Sequence, residues 1–330
     1  MIGVFTSGRW DYNYLRKIIE KLGDDCEVFY PSNHHLANEL KGIRIGNADS
    51  IFLYGSFYSS ALNHIAYMKP EMVVVLGDRF ETQAVVTACL LLNIPVSQIH
   101  AGETTEGSFD DQLRNSISMM STICFASTVQ YKNKLDAMGV KRAYNVGSPV
   151  IDYIKSVKLE PKRKYREEYV VATLHPTTKE LDAINYQVTN FYNALLSIPY
   201  KKIIIMPNTD PESNVIRQFY KERPFNPNFE IVENVKDYYS LIANSKMVIG
   251  NSSSGIIETP SFKIPTVNIG NRQKGRTRGG NVIDCGHACI NILDAIEKAE
   301  TLDLSKMRNP YGGGGSCDKI IKIINEYRRK

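Results

Sequence analysis

Val73-Val74-Val75-Leu76-Gly77-Asp78-Arg79-Phe80-Glu81 is a short apolar run that breaks at a glycine and continues into a charged, helix-compatible stretch. Four β-branched or branched apolar residues in a row have no polar face. A strand of this kind is buried on both sides, as in a parallel sheet covered by helices. The same unit recurs on either side. Ile2–Thr6, Pro95–Ile99 and Ile123–Ala126 read as further buried strands, and Tyr14–Lys21, Glu81–Leu92 and Gln112–Met119 carry helical spacing between them. Strand–helix alternation predicts a doubly wound α/β unit.

The alternation pauses at Leu159–Glu168, LEPKRKYREE, which is charged, contains a proline and has no apolar period, so it reads as a linker. It then restarts with strands at Tyr169–Leu174, Lys202–Met206, Lys246–Ile249 and Pro265–Ile269. Helical stretches at Ala183–Leu196, Tyr238–Ala243 and Ser253–Pro260 separate them. A chain of 330 residues suits two domains of this kind. We expect an α/β protein of two Rossmann-like domains, residues 1–165 and 166–330, facing a cleft. The last helix, Asp318–Arg329, is free to return to the first domain. Open α/β sheets bind ligands beyond the carboxyl ends of their strands, so two such sheets make a natural nucleotide site.

Composition narrows the function classes. The 40 basic and 35 acidic side chains leave a net charge of +5 with no dense basic run, which disfavours a nucleic-acid partner. No apolar run is long enough to span a membrane, and the chain opens directly on the strand-like MIGVFT. The six cysteines are scattered without a CxxC pair. Cys285 and Cys289 have no His-supported second pair, so no metal site is expected. These features fit a soluble protein of the reducing cytoplasm.

The informative polar residues follow the strands. After the first come Thr6-Ser7-Gly8-Arg9-Trp10-Asp11-Tyr12, either a phosphate-contacting turn or an ordinary turn with a surface arginine. No GxGxxG fingerprint is present. For Asp78 two readings stand: a catalytic carboxylate beside a phosphate-binding Arg79, or an N-cap worth about 1 kcal/mol. His100-Ala101-Gly102-Glu103, followed by Asp110-Asp111-Gln112-Leu113-Arg114, offers an acid/base group, with helix capping as the alternative for Asp110 and Asp111. His175 ends the first strand of the second half and is either structural or a phosphate donor. Gly250-Asn251-Ser252-Ser253-Ser254-Gly255 opens a helix with more hydroxyls than a cap requires, which suits a pyrophosphate, and Glu258 in that helix suits ribose hydroxyls. Arg272, Lys274 and Arg276 follow the next strand and suit phosphate charge.

The segments GDRFE, HAGE…DDQLR, LHPTT, MPNTD, GNSSSGIIE and NIGNRQKGR occur in the order seen in hydrolysing UDP-N-acetylglucosamine 2-epimerases, including enzymes of bacterial sialic-acid and legionaminic-acid pathways. The resemblance covers nearly the whole chain. It implies a glycosyltransferase-B-like fold and a UDP-sugar substrate. It implies UDP bound by His175, Asn208, Val235, Ser252, Ser253, Glu258 and Arg272, with Arg9, Asn13 and Arg79. It implies catalysis by Asp78 and Asp110. Some members carry a glutamate where His100 stands, which makes Glu103 the nearest candidate for a third acid. His-Ala-Gly-Glu in place of the non-hydrolysing His-Val-Glu-Ala-Gly favours the hydrolysing branch. The implied reaction expels UDP to give a glycal and hydrates it to free N-acetylmannosamine, or to the corresponding product of a UDP-linked 2,4-diacetamido-2,4,6-trideoxy sugar. No metal or redox cofactor is implied, and a homodimer or homotetramer is. A non-hydrolysing epimerase, a glycosyltransferase of the same architecture and a non-catalytic UDP-sugar sensor are the rival readings. The stretch Pro31–Ser50 is short relative to the family.

Overall fold

A computed structural model describes residues 1–34, 36, 38–107, 110–160, 165, 167–177, 179–207, 212–233 and 235–329. The chain forms two compact units. One comprises Met1–Thr104, Asp110–Ser156 and Tyr311–Lys330, and the other comprises Thr105–Phe109 and Val157–Pro310.

The first unit is built on strands β1 (Ile2–Phe5), β2 (Cys26–Pro31), β3 (Ile43–Ile45), β4 (Met72–Leu76), β5 (Val96–Ile99), β6 (Ile123–Ala126) and β7 (Ala143–Asn145). They form one sheet in the order β3-β2-β1-β4-β5-β6-β7, with every pairing parallel. β1, β4 and β6 are buried along their whole length, as apolar runs require, and β5 is too, although it carries Ser97 and Gln98. The helices Tyr54–Met68 and Phe80–Leu91 pack together over Phe5, Phe29, Phe57, Val73 and Val75.

The second unit repeats the plan with β8 (Tyr169–Thr173), β9 (Lys201–Ile205), β10 (Phe229–Val232), β11 (Val248–Gly250), β12 (Thr266–Ile269) and β13 (Val282–Cys285). The order is β10-β9-β8-β11-β12-β13, again all parallel. Val170, Ala172, Ile204, Ile249 and Val267 on the sheet meet Phe191 of the helix Ile184–Leu196 in its core. Two Rossmann-like α/β halves with parallel sheets are therefore present, the class that the alternation predicts. Of the expected linker, residues 161–164 and 166 lie outside the described residues. Tyr165 is not linker-like. It is buried, stacks on Tyr169 with ring centroids 4.9 Å apart, and donates to Glu230 over 2.8 Å.

The helix expected at Ser253–Pro260 is one α-turn, Ser254–Ile257, tightening into a 3₁₀ turn at Thr259–Phe262. Pro260 has no N–H to continue the α pattern, and the Thr259 hydroxyl takes the Gly255 carbonyl over 2.7 Å instead. The final helix, Ser316–Arg328, packs on the helices Arg9–Leu22 and Pro149–Ser156 of the first unit. Asp152 accepts from the Gly315 and Cys317 amides at its start, the latter over 2.7 Å. Its far end is held by Arg328, which pairs with Asp25 and Glu71.

Two predictions follow from this architecture. Gly250 closes β11 with φ +143°, and a Cβ there would lie 1.7 Å from the Thr173 carbonyl oxygen of the paired strand. Gly250→Ala is expected to destabilise the fold by about 3 kcal/mol or more, measured by urea unfolding. Hydrogen bonds from Arg328 and from the N-terminal ammonium hold Glu71 at about 2, and Arg328 also holds Asp25 below its usual range. A depressed carboxylate stabilises the folded state above its unfolded pKa and loses that contribution as pH falls through the folded one. Arg328→Ala should therefore lower the melting temperature slightly at pH 7. The difference from wild type should vanish near pH 2 and shrink in high salt, because these groups are exposed.

Candidate functional site

In a doubly wound sheet the chain leaves in opposite directions at the strand where the order reverses, which opens a crevice at the carboxyl ends there. The reversals fall between β1 and β4 and between β8 and β11. The segments leaving those four strands are Thr6-Ser7-Gly8, Gly77-Asp78-Arg79, Leu174-His175 and Asn251-Ser252-Ser253. The topology thus puts Asp78, Arg79, His175, Ser252 and Ser253 at the two places where such sheets bind ligands, while Glu103 follows β5 and Arg272 follows β12.

Arg114 organises the first unit's site. It lies on the helix Asp110–Met120, is 1% exposed, and its guanidinium pairs with Asp78 and, over 2.7 Å, with Asp111. The same group donates to the Glu103 carbonyl over 2.9 Å. A buried guanidinium must be met by carboxylates and carbonyls, since an uncompensated charge there costs several kcal/mol. Asp78 is therefore not the N-cap that its position suggested. The cap residue of the helix Phe80–Leu91 is Arg79, without a side-chain cap bond, and the Asp78 carboxylate turns to Arg114. Asp110 and Asp111 both occupy a helix first turn, where acids are favoured. Asp111 shares Arg114 with Asp78. Gln98 on β5 supports the turn by donating to the Gly77 carbonyl over 2.8 Å, and it accepts from Ser118 over 2.6 Å.

Glu103 is 2% exposed. Its Oε1 accepts from Ser127 over 2.7 Å and lies 2.6 Å from Nδ1 of His100. The other ring nitrogen of His100 is 2.8 Å from the Ser148 hydroxyl, and Ser148 in turn donates its amide to Tyr311 in the returning C-terminal segment. His100 thus bridges Glu103 and Ser148 through its two ring nitrogens. His100 has φ +59°, an uncommon left-handed conformation for a side chain of this size, and Gly102 follows at φ +75°. No Cβ fits at Gly102, because it would lie 2.6 Å from the Tyr131 carbonyl. Lys134 donates to the Glu103 carbonyl over 3.2 Å and to Thr104 over 3.0 Å, and burial lowers its pKa.

After β1, Asp11 accepts from the Ser7 hydroxyl and from its amide over 3.3 Å. Burial pushes its carboxyl above the usual range against the lowering effect of Ser7 and Arg79. Arg9 opens the helix Arg9–Leu22, and its side chain lies outside the described residues, while Asn13 is half-buried on the same helix. Arg79 forks onto Glu81, with Nη2 at 2.9 Å and Nε at 3.2 Å.

Asn251 plays the organising part in the second unit, a role that sequence reading did not assign to it. It is fully buried, accepts from the His175 amide over 2.7 Å and returns a bond to the His175 carbonyl over 2.8 Å. Its own carbonyl receives Arg272 at 3.3 Å and Gln273 at 3.0 Å. One side chain and its carbonyl thereby gather the ends of β8, β11 and β12. Ser252 accepts from the Ser254 amide at 3.3 Å. A relay runs from Tyr238 to Ser254 over 2.7 Å and on to the buried Glu258 over 2.9 Å, and burial raises the Tyr238 phenol. Ser253 precedes the one-turn helix Ser254–Ile257, and Val235 is partly buried against the cluster that includes Tyr169, Val171 and Leu241. Asn208 lies outside the described residues. All six cysteines are free, and among the described residues no group of three or more His, Cys, Asp or Glu side chains is placed to hold a metal. No described helix is long and apolar enough to cross a membrane.

Comparison with known proteins places this arrangement. Residues 44–325 match the sequence model of the family described as UDP-N-acetylglucosamine 2-epimerase. UDP-N,N'-diacetylbacillosamine 2-epimerase (hydrolyzing) of Legionella pneumophila is 33% identical, with 97% of this chain and 94% of that one covered. GDP/UDP-N,N'-diacetylbacillosamine 2-epimerase (hydrolyzing) of Campylobacter jejuni is 36% identical over 80% of this chain and 73% of its own. Among solved structures, UDP-GlcNAc 2-epimerase of Methanocaldococcus jannaschii, in complex with UDP-GlcNAc and UDP, shares the fold with a TM-score of 0.83 at 20% identity, covering 99% of this chain and all of that one. With its two parallel sheets and a match over most of its length, the chain belongs to the UDP-N-acetylglucosamine 2-epimerase family.

Proposed function

We propose that the protein is a hydrolysing 2-epimerase of a UDP-linked 2-acetamido sugar, taking UDP-N-acetylglucosamine to UDP and N-acetylmannosamine. The observation that carries this reading is the pair of carboxylates, Asp78 and Asp111, held on one buried guanidinium at the carboxyl end of β4. Epimerisation with loss of UDP needs a base over C2. Asp78 takes that proton, the C1–oxygen bond breaks, and its electron pair leaves on the diphosphate as the C1–C2 double bond forms. Water then adds its hydroxyl at C1, and an acid from the Asp110–Asp111 pair returns a proton to C2 on the opposite face, which inverts that centre. Arg114 holds Asp78 and Asp111 on one guanidinium and so fixes where each carboxylate stands. Glu103, hydrogen-bonded by Ser127 and paired with His100, is the third acid of this reading.

Charge gained by the departing diphosphate calls for cations and N–H groups where it leaves. His175, Asn208, Ser252, Ser253 and Arg272 take the UDP phosphates and Glu258 the ribose in this reading. Val235 lines the nucleoside site, and Arg9, Asn13 and Arg79 complete the set. Localisation in the cytoplasm and assembly into a homodimer or homotetramer belong to the same proposal. A second reading concerns the sugar. The two relatives above are named for a diacetylated sugar and for hydrolysis, which favours UDP-N,N'-diacetylbacillosamine as the substrate.

Incubation with each UDP-sugar, followed by NMR of the product, tests the proposal. Free sugar with inverted C2 plus UDP is expected, and an intact UDP-sugar epimer would instead establish the non-hydrolysing reaction. Asp78→Asn should reduce turnover by at least about 10³-fold while UDP still binds in calorimetry. Turnover near the wild-type rate in that variant would remove Asp78 from the chemistry.

A further inference from the structure

Glu81 follows the candidate acid Asp78 by three residues and plays no part in the chemistry above. It sits in the first turn of the helix Phe80–Leu91, where a carboxylate is favoured by the helix dipole even when exposed. Yet it is 1% exposed. Burying a carboxylate is unfavourable unless it is paired, so the dipole does not account for its position. The partner is Arg79, met along the guanidinium edge: Nη2 to Oε1 at 2.9 Å, Nε to Oε2 at 3.2 Å and Nε to Oε1 at 3.3 Å. The two ends differ sharply in environment, since the Arg79 side chain is 49% exposed and that of Glu81 1%.

Arg114 shows the contrast. It is equally rich in donors, but it is sunk to 1% exposure and directed at Asp78, Asp111 and the Glu103 carbonyl. It serves the carboxylates. Arg79 stands one residue past Asp78, on the turn that leaves β4 beside β1, with half its side chain toward solvent. A loose arginine in that place would lose several rotatable bonds on meeting an anion. One already docked along an edge gives up less, and its planar fork holds a defined direction.

We infer that Glu81 is a positioning residue that holds the Arg79 guanidinium edge-on at the β1/β4 crevice, so that its outer face takes a phosphate oxygen of a nucleoside diphosphate. Asp11, near enough for Arg79 to influence its carboxyl, accepts from the Ser7 amide. Glu81 partly neutralises Arg79, so its removal frees positive charge as well as releasing the fork. The exposed guanidinium is screened by water and salt, which makes the added attraction small, and the loss of orientation dominates.

This inference rests on the UDP-binding reading above, and the test separates the two. UDP affinity is measured by calorimetry at two salt concentrations for wild type, Glu81→Gln, Arg79→Ala and the double variant, with melting temperatures as a check on folding. Glu81→Gln is expected to weaken UDP about tenfold at both salt concentrations. In the Arg79→Ala background the same change should alter affinity by less than about twofold, because its effect passes through Arg79. Unchanged or tighter UDP binding by Glu81→Gln would overturn the inference, as would an equal loss in both backgrounds. If wild type itself ignores UDP, the functional reading fails and the inference goes with it. Should Glu81→Gln not fold, Arg79→Lys serves instead. Lysine keeps the charge but cannot fork onto Glu81, so about a tenfold loss supports positioning and undiminished affinity refutes it.

Discussion

The charge of Arg114 is buried, and the first unit's site is arranged around that constraint. A guanidinium with almost no exposure must be surrounded by acceptors, and it finds them on three separate segments: Asp78 after β4, the Glu103 carbonyl after β5, and Asp111 on its own helix. Each of those segments is thereby tied to the others by charge-assisted bonds as well as by the apolar cluster that Ile117 shares with Val75 and Val96. The turn at Gly77 is further held by Gln98, which is itself fully buried on β5. One guanidinium thus joins two carboxylates from different segments.

The second unit solves the same geometric problem with a neutral group. Asn251 bonds the His175 backbone in both directions, and its carbonyl collects Arg272 and Gln273. An amide carries both a donor and an acceptor, so one side chain satisfies an N–H and a C=O of the neighbouring strand end at once. The difference suits the ligands proposed for the two halves. A site for proton transfer needs carboxylates with a controlled charge, whereas a site for a diphosphate needs fixed backbone without added negative charge. Gly250 makes room for this junction, since its backbone runs too close to Thr173 for any side chain.

Of the inner strands, all but β2 (Cys26–Pro31) were legible, because burial on both faces leaves an apolar run, as in Ile2–Phe5 and Ile123–Ala126, whereas β2 begins on the half-buried Cys26 and Glu27. Edge strands were not. β3, β7, β10 and β13 are mostly half-buried or exposed, so their residues carry no such pattern. Site residues at strand ends could be nominated from their position, but their partners could not. Asp78 and Arg114 are 36 positions apart, and from its neighbours alone helix capping was the favoured reading of Asp78, whereas its carboxylate pairs with Arg114. Asn251 passed as part of a serine-rich turn, since nothing in its sequence neighbours reveals the bonds it makes with His175, 76 residues away.

Local pattern determined the α/β class, the sequence of central strands and the positions where polar residues leave them. Those features depend on interactions between near neighbours, namely apolar periodicity, glycine turns and proline breaks, which one dimension records. The tertiary structure alone decided which acid meets which cation, that Glu103 meets His100 and Ser127, and that the last helix caps on Asp152 in the first unit. Charge pairing and burial are set by which segments the sheet order brings side by side, and that proximity is a property of the folded chain.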